Sequence, residues 1–361
     1  MELIAGKASW PPVVVPFGLD PFGWHGERES YRELCEFALD HCTLLPKVYP
    51  FDDPLAIGKG EIEIISDIQE ETDGTFIRRY ELTGAEKNLY MEEIQTPGDS
   101  SWKNRKRWIE NDDDLDFFLG LVDICPTEPD IKAIREKNKQ VGEHGMAYCE
   151  TPDPFYTVCE MFSTDEFFIK TLSDRDRIDR LIHDTGKRML YGIEKLCSEA
   201  KCPFILRLIG AEMAAPPFMS SDDFLDFEGD FYEQVIEIAG RYGVPTSFHC
   251  HGPVRDVIDI VWNMGFTFME PFEPPPNGNM TIAEALKITD GRGIVFGGVD
   301  DVVINSCSCE ELRAAVMRCL ADARDTGKQY ILSQSSTPFS DPLSETAREN
   351  YLLFMKLGIE G

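Results

Sequence analysis

Basic residues, histidines and closely spaced cysteine pairs are what this chain has little of. Its 361 residues hold 35 Lys and Arg against 65 Asp and Glu, a formal net charge of −30. Phosphate binding needs basic surface, so the composition argues against a nucleic-acid partner and, on the same ground, against an anionic membrane surface. No apolar run approaches the roughly 20 residues that a spanning helix requires. Met1 to Lys7 lacks a basic region followed by a long apolar stretch, so no signal peptide is expected. The eleven cysteines are odd in number and scattered, with no CxxC, and Cys307-Ser308-Cys309 is too tight for a zinc knuckle. That usage fits a reducing cytoplasm, with most thiols as small core residues, and is compatible with anaerobic metabolism. Three motifs are also missing: Gly-x-Gly-x-x-Gly, a P-loop and Gly-x-Ser-x-Gly. Their absence argues against dinucleotide binding, nucleotide phosphate binding and a hydrolase nucleophile elbow.

What is present is a regular alternation. Apolar strand candidates lie at 13–17, 44–49, 146–149, 204–210, 244–250, 266–270, 294–298 and 330–333. Helical spacing separates them, at 31–42, 175–200, 222–242, 254–264, 281–290 and 307–327, with a last helix at 343–358. Short buried strands alternating with amphipathic helices mean parallel sheet. Eight strands in a chain of this length predict an α/β fold of the (β/α)8 barrel class in one domain over 1–361; a doubly wound open sheet is the alternative. Residues 61–69 and 75–82 alternate across Thr72-Asp73-Gly74 and predict a β-hairpin decoration within 1–145. The highly charged stretch 100–140 reads as solvated helical surface.

His249-Cys250-His251-Gly252-Pro253 is the most informative segment, because two of only six histidines fall in it. It ends an apolar strand. Side chains alternate along a strand, so the two imidazoles share a side and Cys250 takes the other. In a barrel, function sits at the carboxyl ends of the strands. Reading off those ends collects Glu212, His249, His251, Glu270, Phe272, Glu273, Asp300, Ser333 and Gln334. No lysine or arginine is among them, which suits holding a cation. We assign His249, His251 and Glu273 as metal ligands, with Glu212, Glu270 and Asp300 as catalytic carboxyls. Ser333, Gln334 and Phe272 are assigned to substrate. Each carboxylate has a plainer role open to it: Glu212 as a cap or ion-pair partner, Asp300 as the cap of the next helix.

Several ordered pieces together resemble the uroporphyrinogen decarboxylase superfamily: Gly210-Ala211-Glu212, Phe224-Leu225-Asp226-Phe227, His249-Cys250-His251-Gly252, Met264-Gly265-Phe266, Phe296 to Asp300, Ile331-Leu332-Ser333 and Asn350-Tyr351. The resemblance implies a barrel that pairs as a homodimer. The decarboxylase branch holds its substrate with arginines near the N-terminus, whereas this chain has no arginine before Arg28. The segment is more similar to the corrinoid-dependent methyltransferase branch, whose His-x-Cys-Gly binds zinc. Here His251 stands at the cysteine position, and Ser335-Ser336 stand where a second cysteine is expected. The resemblance therefore implies a methyltransferase acting on a small methylated molecule, such as a methoxylated aromatic. Its corrinoid would be supplied by a partner protein. Its zinc, or another divalent metal, would be held by histidine and carboxylate. A metal-dependent decarboxylase or lyase, and a non-catalytic binding barrel, are the alternatives.

Overall fold

The computed structural model describes residues 10–51, 55–57, 60, 62–97, 102–121 and 126–361. Two short strands, β1 (Val13–Val14) and β2 (Lys47–Val48), begin the chain. Four strands follow: β3 (Glu63–Glu70), β4 (Phe76–Thr83), β5 (Leu89–Gln95) and β6 (Lys103–Lys106). Six more come from the regular half: β7 (Ala147–Pro152), β8 (Phe204–Ile209), β9 (Thr246–His249), β10 (Phe268–Phe272), β11 (Ile294–Val299) and β12 (Tyr330–Gln334).

Eight of these pair in parallel in the order β1-β12-β11-β10-β9-β8-β7-β2. The ends of that row meet. Thr43 N–H, just before β2, donates to Val14 O of β1 at 3.0 Å. The Gln334 side chain accepts from Phe17 N–H and donates to Phe17 C=O, both at 3.0 Å, tying the last strand to the first. The protein is a (β/α)8 barrel. A four-stranded antiparallel sheet, β3-β4-β5-β6, is inserted between β2 and β7. It extends the expected hairpin by two strands, with Gly74 at positive φ in the turn. Among the described residues no helix is long and apolar enough to cross a membrane.

The helices wrap the barrel because each presents one apolar face. In Cys309–Thr326, for example, Leu312, Ala315, Val316, Cys319, Leu320 and Ala323 are buried. That helix starts with a Ser308–Glu311 capping box and ends at Gly327 in the left-handed region. The structure departs from the expected helices in several places, of which three bear on the site and its surroundings. The stretch 100–140 contains β6 and two helices, Asp112–Leu119 and Ile131–Val141, while Ser100, Ser101 and 122–125 lie outside the described residues. Residues 301–306 form a separate helix before Cys309–Thr326. Inside the 222–242 segment the chain widens into a π-turn over Leu225–Gly229.

The barrel interior has two layers. Val15, Phe17, Leu45, Tyr148, Ile205, Phe268, Ile294, Phe296 and Ile331 form an apolar plug. Charged side chains lie above it, toward the carboxyl ends of the strands.

Candidate metal centre at the barrel mouth

Strand alternation places the key histidines. Phe248 is buried in the outer core, His249 points inward, and Cys250 returns to the core. His251 follows on the same side as His249; the two rings stand at 89° with centroids 4.6 Å apart. Glu212 reaches them from the turn after β8. Gly210 makes this turn possible: its φ is +111°, and an added Cβ would meet Tyr156 Cβ at 2.3 Å. Glu212 Oε1 accepts from the His251 backbone N–H at 3.0 Å and lies 3.4 Å from His249 Nε2.

Glu212, His249 and His251 thus form one group, each offering a ligand atom within 4.8 Å of the others. Ligands at about 2.1 Å around a tetrahedral ion lie about 3.4 Å apart, so the Glu212–His249 separation already has the span of one coordination edge. Oxygen and nitrogen donors of this kind suit zinc and also iron or manganese. The donor set fits a divalent ion.

Behind these three residues stands a set of orienting groups. Glu273, on the loop after β10, accepts from His251 Nδ1 at 3.1 Å and from Gly252 N–H at 2.8 Å, which leaves His251 Nε2 for the centre. Burial alone would disfavour the Glu273 anion, but the His251 hydrogen bond and charge outweigh it and hold its carboxyl below the ordinary range. Burial alone would likewise lower His251, and Glu273 reverses the sign, so His251 is raised. Glu270 sits 2.8 Å from His249 Nδ1 and 2.7 Å from Arg207 Nε. Its burial is overcome by Arg207 and His249, which hold it far below the usual carboxylate range. The Tyr148 hydroxyl donates to Glu270 Oε1 at 3.2 Å and lies 2.7 Å from Ser247 Oγ.

Arg207 is the residue that reading the strand ends overlooked. It lies on β8, 2% exposed. It reaches Glu270, Glu150 and His249 Nδ1, the last at 2.6 Å. Burial would lower its pKa; Glu270 and Glu150 outweigh burial and raise it. Lys47 of β2 joins the layer, with Nζ 3.6 Å from Glu150. The charged layer therefore contains two cations, contrary to the expectation of an all-acidic lining. The sequence marks three of these residues, each as a lone charge in or beside an apolar run: Lys47 at the start of β2, Glu150 within β7 and Arg207 within β8.

The remaining candidates spread out. Asp300 caps the helix Asp301–Ser306 through Val302 N–H and accepts from Asn277 Nδ2 at 2.5 Å. Ser333 is buried and donates to Gln334 O at 3.0 Å, while Gln334 is committed to Phe17. Phe272 is buried and lines a cavity of about 450 Å³ with Pro274, Met280, Val303 and Cys319, outside the three-residue group. Behind β7 lies a second pair of carboxyls, Asp153 and Glu228, both fully buried. Asp153 accepts from Tyr156 N–H and the Tyr232 hydroxyl; Glu228 accepts from Phe155 N–H. The π-turn brings Glu228 inward.

No protein-family model matches the chain, and no curated protein matches it. Among solved structures, a methyltransferase from Methanosarcina mazei is similar. The two share a TM-score of 0.60 over 99% of this chain and 96% of that one, at 13% identity. At that identity the likeness establishes a shared fold.

Proposed function

We propose that this protein is the methyltransferase component of a corrinoid system, moving a methyl group between a small methylated molecule and a corrinoid carried by a separate protein. The observation that carries the reading is the Glu212–His249–His251 group at the carboxyl end of the barrel strands, where a barrel keeps its chemistry. The shared fold with a methyltransferase supports it. So do the ordered motifs similar to the corrinoid-dependent branch.

When bound, zinc or another divalent ion supplies Lewis acidity toward the oxygen that loses its methyl group. The chain's own groups do the rest. Glu270 and Glu273, both held ionised, fix the two imidazoles through their Nδ1 atoms. Being ionised, they accept hydrogen bonds near neutrality and hold no proton to donate. The Gly210 turn presents Glu212 Oε1 to the histidines. The substrate class we favour is a methoxylated aromatic, with the mouth as the corrinoid protein's docking face.

The direct test is transfer from a panel of methoxylated aromatics to free cob(I)alamin, followed by the absorbance of methylcobalamin. Zinc- or iron-loaded protein is expected to methylate cobalamin, and the His249→Ala variant to be inactive. No transfer by fully loaded protein across the panel overturns the reading.

A further inference from the structure

We propose that Lys47 and Tyr49, at the end of β2, form an anchor for a carboxylate on the substrate, across the barrel mouth from the metal-competent group. The placement of the methyl group opposite this anchor, and the choice of a methoxylated aromatic as the probe, rest on the function proposed above.

Lys47 belongs to the inner charged layer. Its β2 position pairs in register with Tyr148 of β7, whose side chain is part of the interior plug. Its Nζ lies 5.0 Å from the centre of the buried Phe17 ring, so its stem runs along the barrel interior. Its side chain is 22% exposed, so the ammonium is neither sunk in the core nor free in solvent.

The ammonium is also under-used. Among the described residues its ion-pair partner is Glu150 Oε2, at 3.6 Å, longer than a charge-assisted hydrogen bond of about 2.7–2.9 Å. Glu150 Oε2 is already taken at closer range by Arg207. Lysine carries three donors. A largely covered ammonium with donors unmet is unfavourable unless a partner arrives. Burial in fact lowers the Lys47 pKa, against the pull of Glu150. Arg207 cannot serve as the anchor instead, because Glu150 and Glu270 occupy its guanidinium.

Tyr49 is two residues on, on the same side of the strand by alternation, and its side chain is exposed. One under-used ammonium, with the Tyr49 phenol following on the same side of the chain, matches the charge of one monoanionic carboxylate. A dianion such as a phosphate monoester would leave charge uncompensated.

The test is calorimetric binding to the purified full-length chain, which needs no turnover. 4-Methoxybenzoate is compared with its neutral analogue, 4-methoxybenzamide. Wild type is expected to bind the carboxylate at least about tenfold more tightly, a difference of about 1.4 kcal/mol. Lys47→Met should erase the preference at unchanged melting temperature, and Lys47→Arg should keep part of it. Equal affinities in wild type, undetectable carboxylate binding, or a preference that survives Lys47→Met would each overturn the proposal. The wild-type comparison decides alone if the variant does not fold. Loss of methyl transfer with the preference intact would count against the function and not against the anchor.

Discussion

Inside the barrel the Arg207 guanidinium meets the His249 imidazole, Nη2 to Nδ1 at 2.6 Å, on the neighbouring strands β8 and β9. Glu270 Oε2 faces the same Nδ1 at 2.8 Å. Nδ1 either accepts from Arg207 or, when protonated, donates to Glu270. A metal held by Nε2 would select the second state, in which the Nδ1 N–H donates to the ionised Glu270. Arg207 would then keep Glu270 ionised and so position His249.

Arg207→Met should be strongly destabilising. It leaves Glu150 and Glu270 as buried carboxylates without their main partner, a loss of about 3–5 kcal/mol. Urea unfolding measures it. Stability close to wild type would mean that the two carboxyls are protonated or hydrated in the folded state.

Glu270→Gln and Glu273→Gln should each weaken metal binding about 10–100-fold without abolishing it, because they remove groups that orient imidazoles and not ligands. Competition with a chelator reads the affinity. Complete loss in Glu273→Gln, with Glu212→Gln harmless, would make Glu273 the ligand, as the sequence alone suggests.

Gly210→Ala should fold less stably, by about 1–3 kcal/mol, and bind metal poorly. The new methyl collides with Tyr156 Cβ and comes within 3.2 Å of Asp153 Oδ2, and the left-handed φ is unfavourable for alanine. The strain falls on the turn that carries Glu212. Wild-type affinity in this variant would show that the turn does not set the ligand.

The Asp153–Glu228 pair gives a pH signature. Burial, followed by the partner's charge for Glu228, holds both carboxyls above their ordinary range, with Asp153 pushed up to about 7. Glu228 Oε2 has no donor among the described residues, and one proton shared with Asp153 satisfies it. A raised carboxyl contributes stability that is present below its unfolded pKa and lost as pH rises through the folded value. Stability from Asp153 should therefore fall between about pH 4 and about 7, and Glu228, raised in the same sense, adds a loss on the alkaline side. Glu228→Gln should flatten that slope in thermal melts and be at least as stable as wild type at pH 8. A steeper slope in the variant would refute the shared proton.

The barrel was legible because its evidence is periodic. Apolar runs such as Phe204–Ile209 and Ile294–Val299 alternate with helices whose faces repeat, and each becomes a strand. The His249/His251 alternation was legible for the same reason, since it depends only on the pleat. Arg207, Glu150 and Lys47 stand out as charges in or beside apolar runs, but their pairing was not legible, because their partners come from different strands and only closure of the barrel brings them together. The choice of Glu212 over Glu273 beside the histidines was also hidden. It depends on the left-handed Gly210 turn and on Glu273 folding back to Gly252 N–H, and neither has a periodic signature. The inward Glu228 needed a π-turn, which shifts the helical face by one residue.

The most direct measurement is the metal content of wild type after zinc loading and dialysis, beside Glu212→Ala, His249→Ala and His251→Ala, with circular dichroism to confirm folding. The account predicts one equivalent in wild type and its loss in each folded variant. A wild type that retains no metal, or variants that retain it undiminished, would contradict the metal centre and the function built on it.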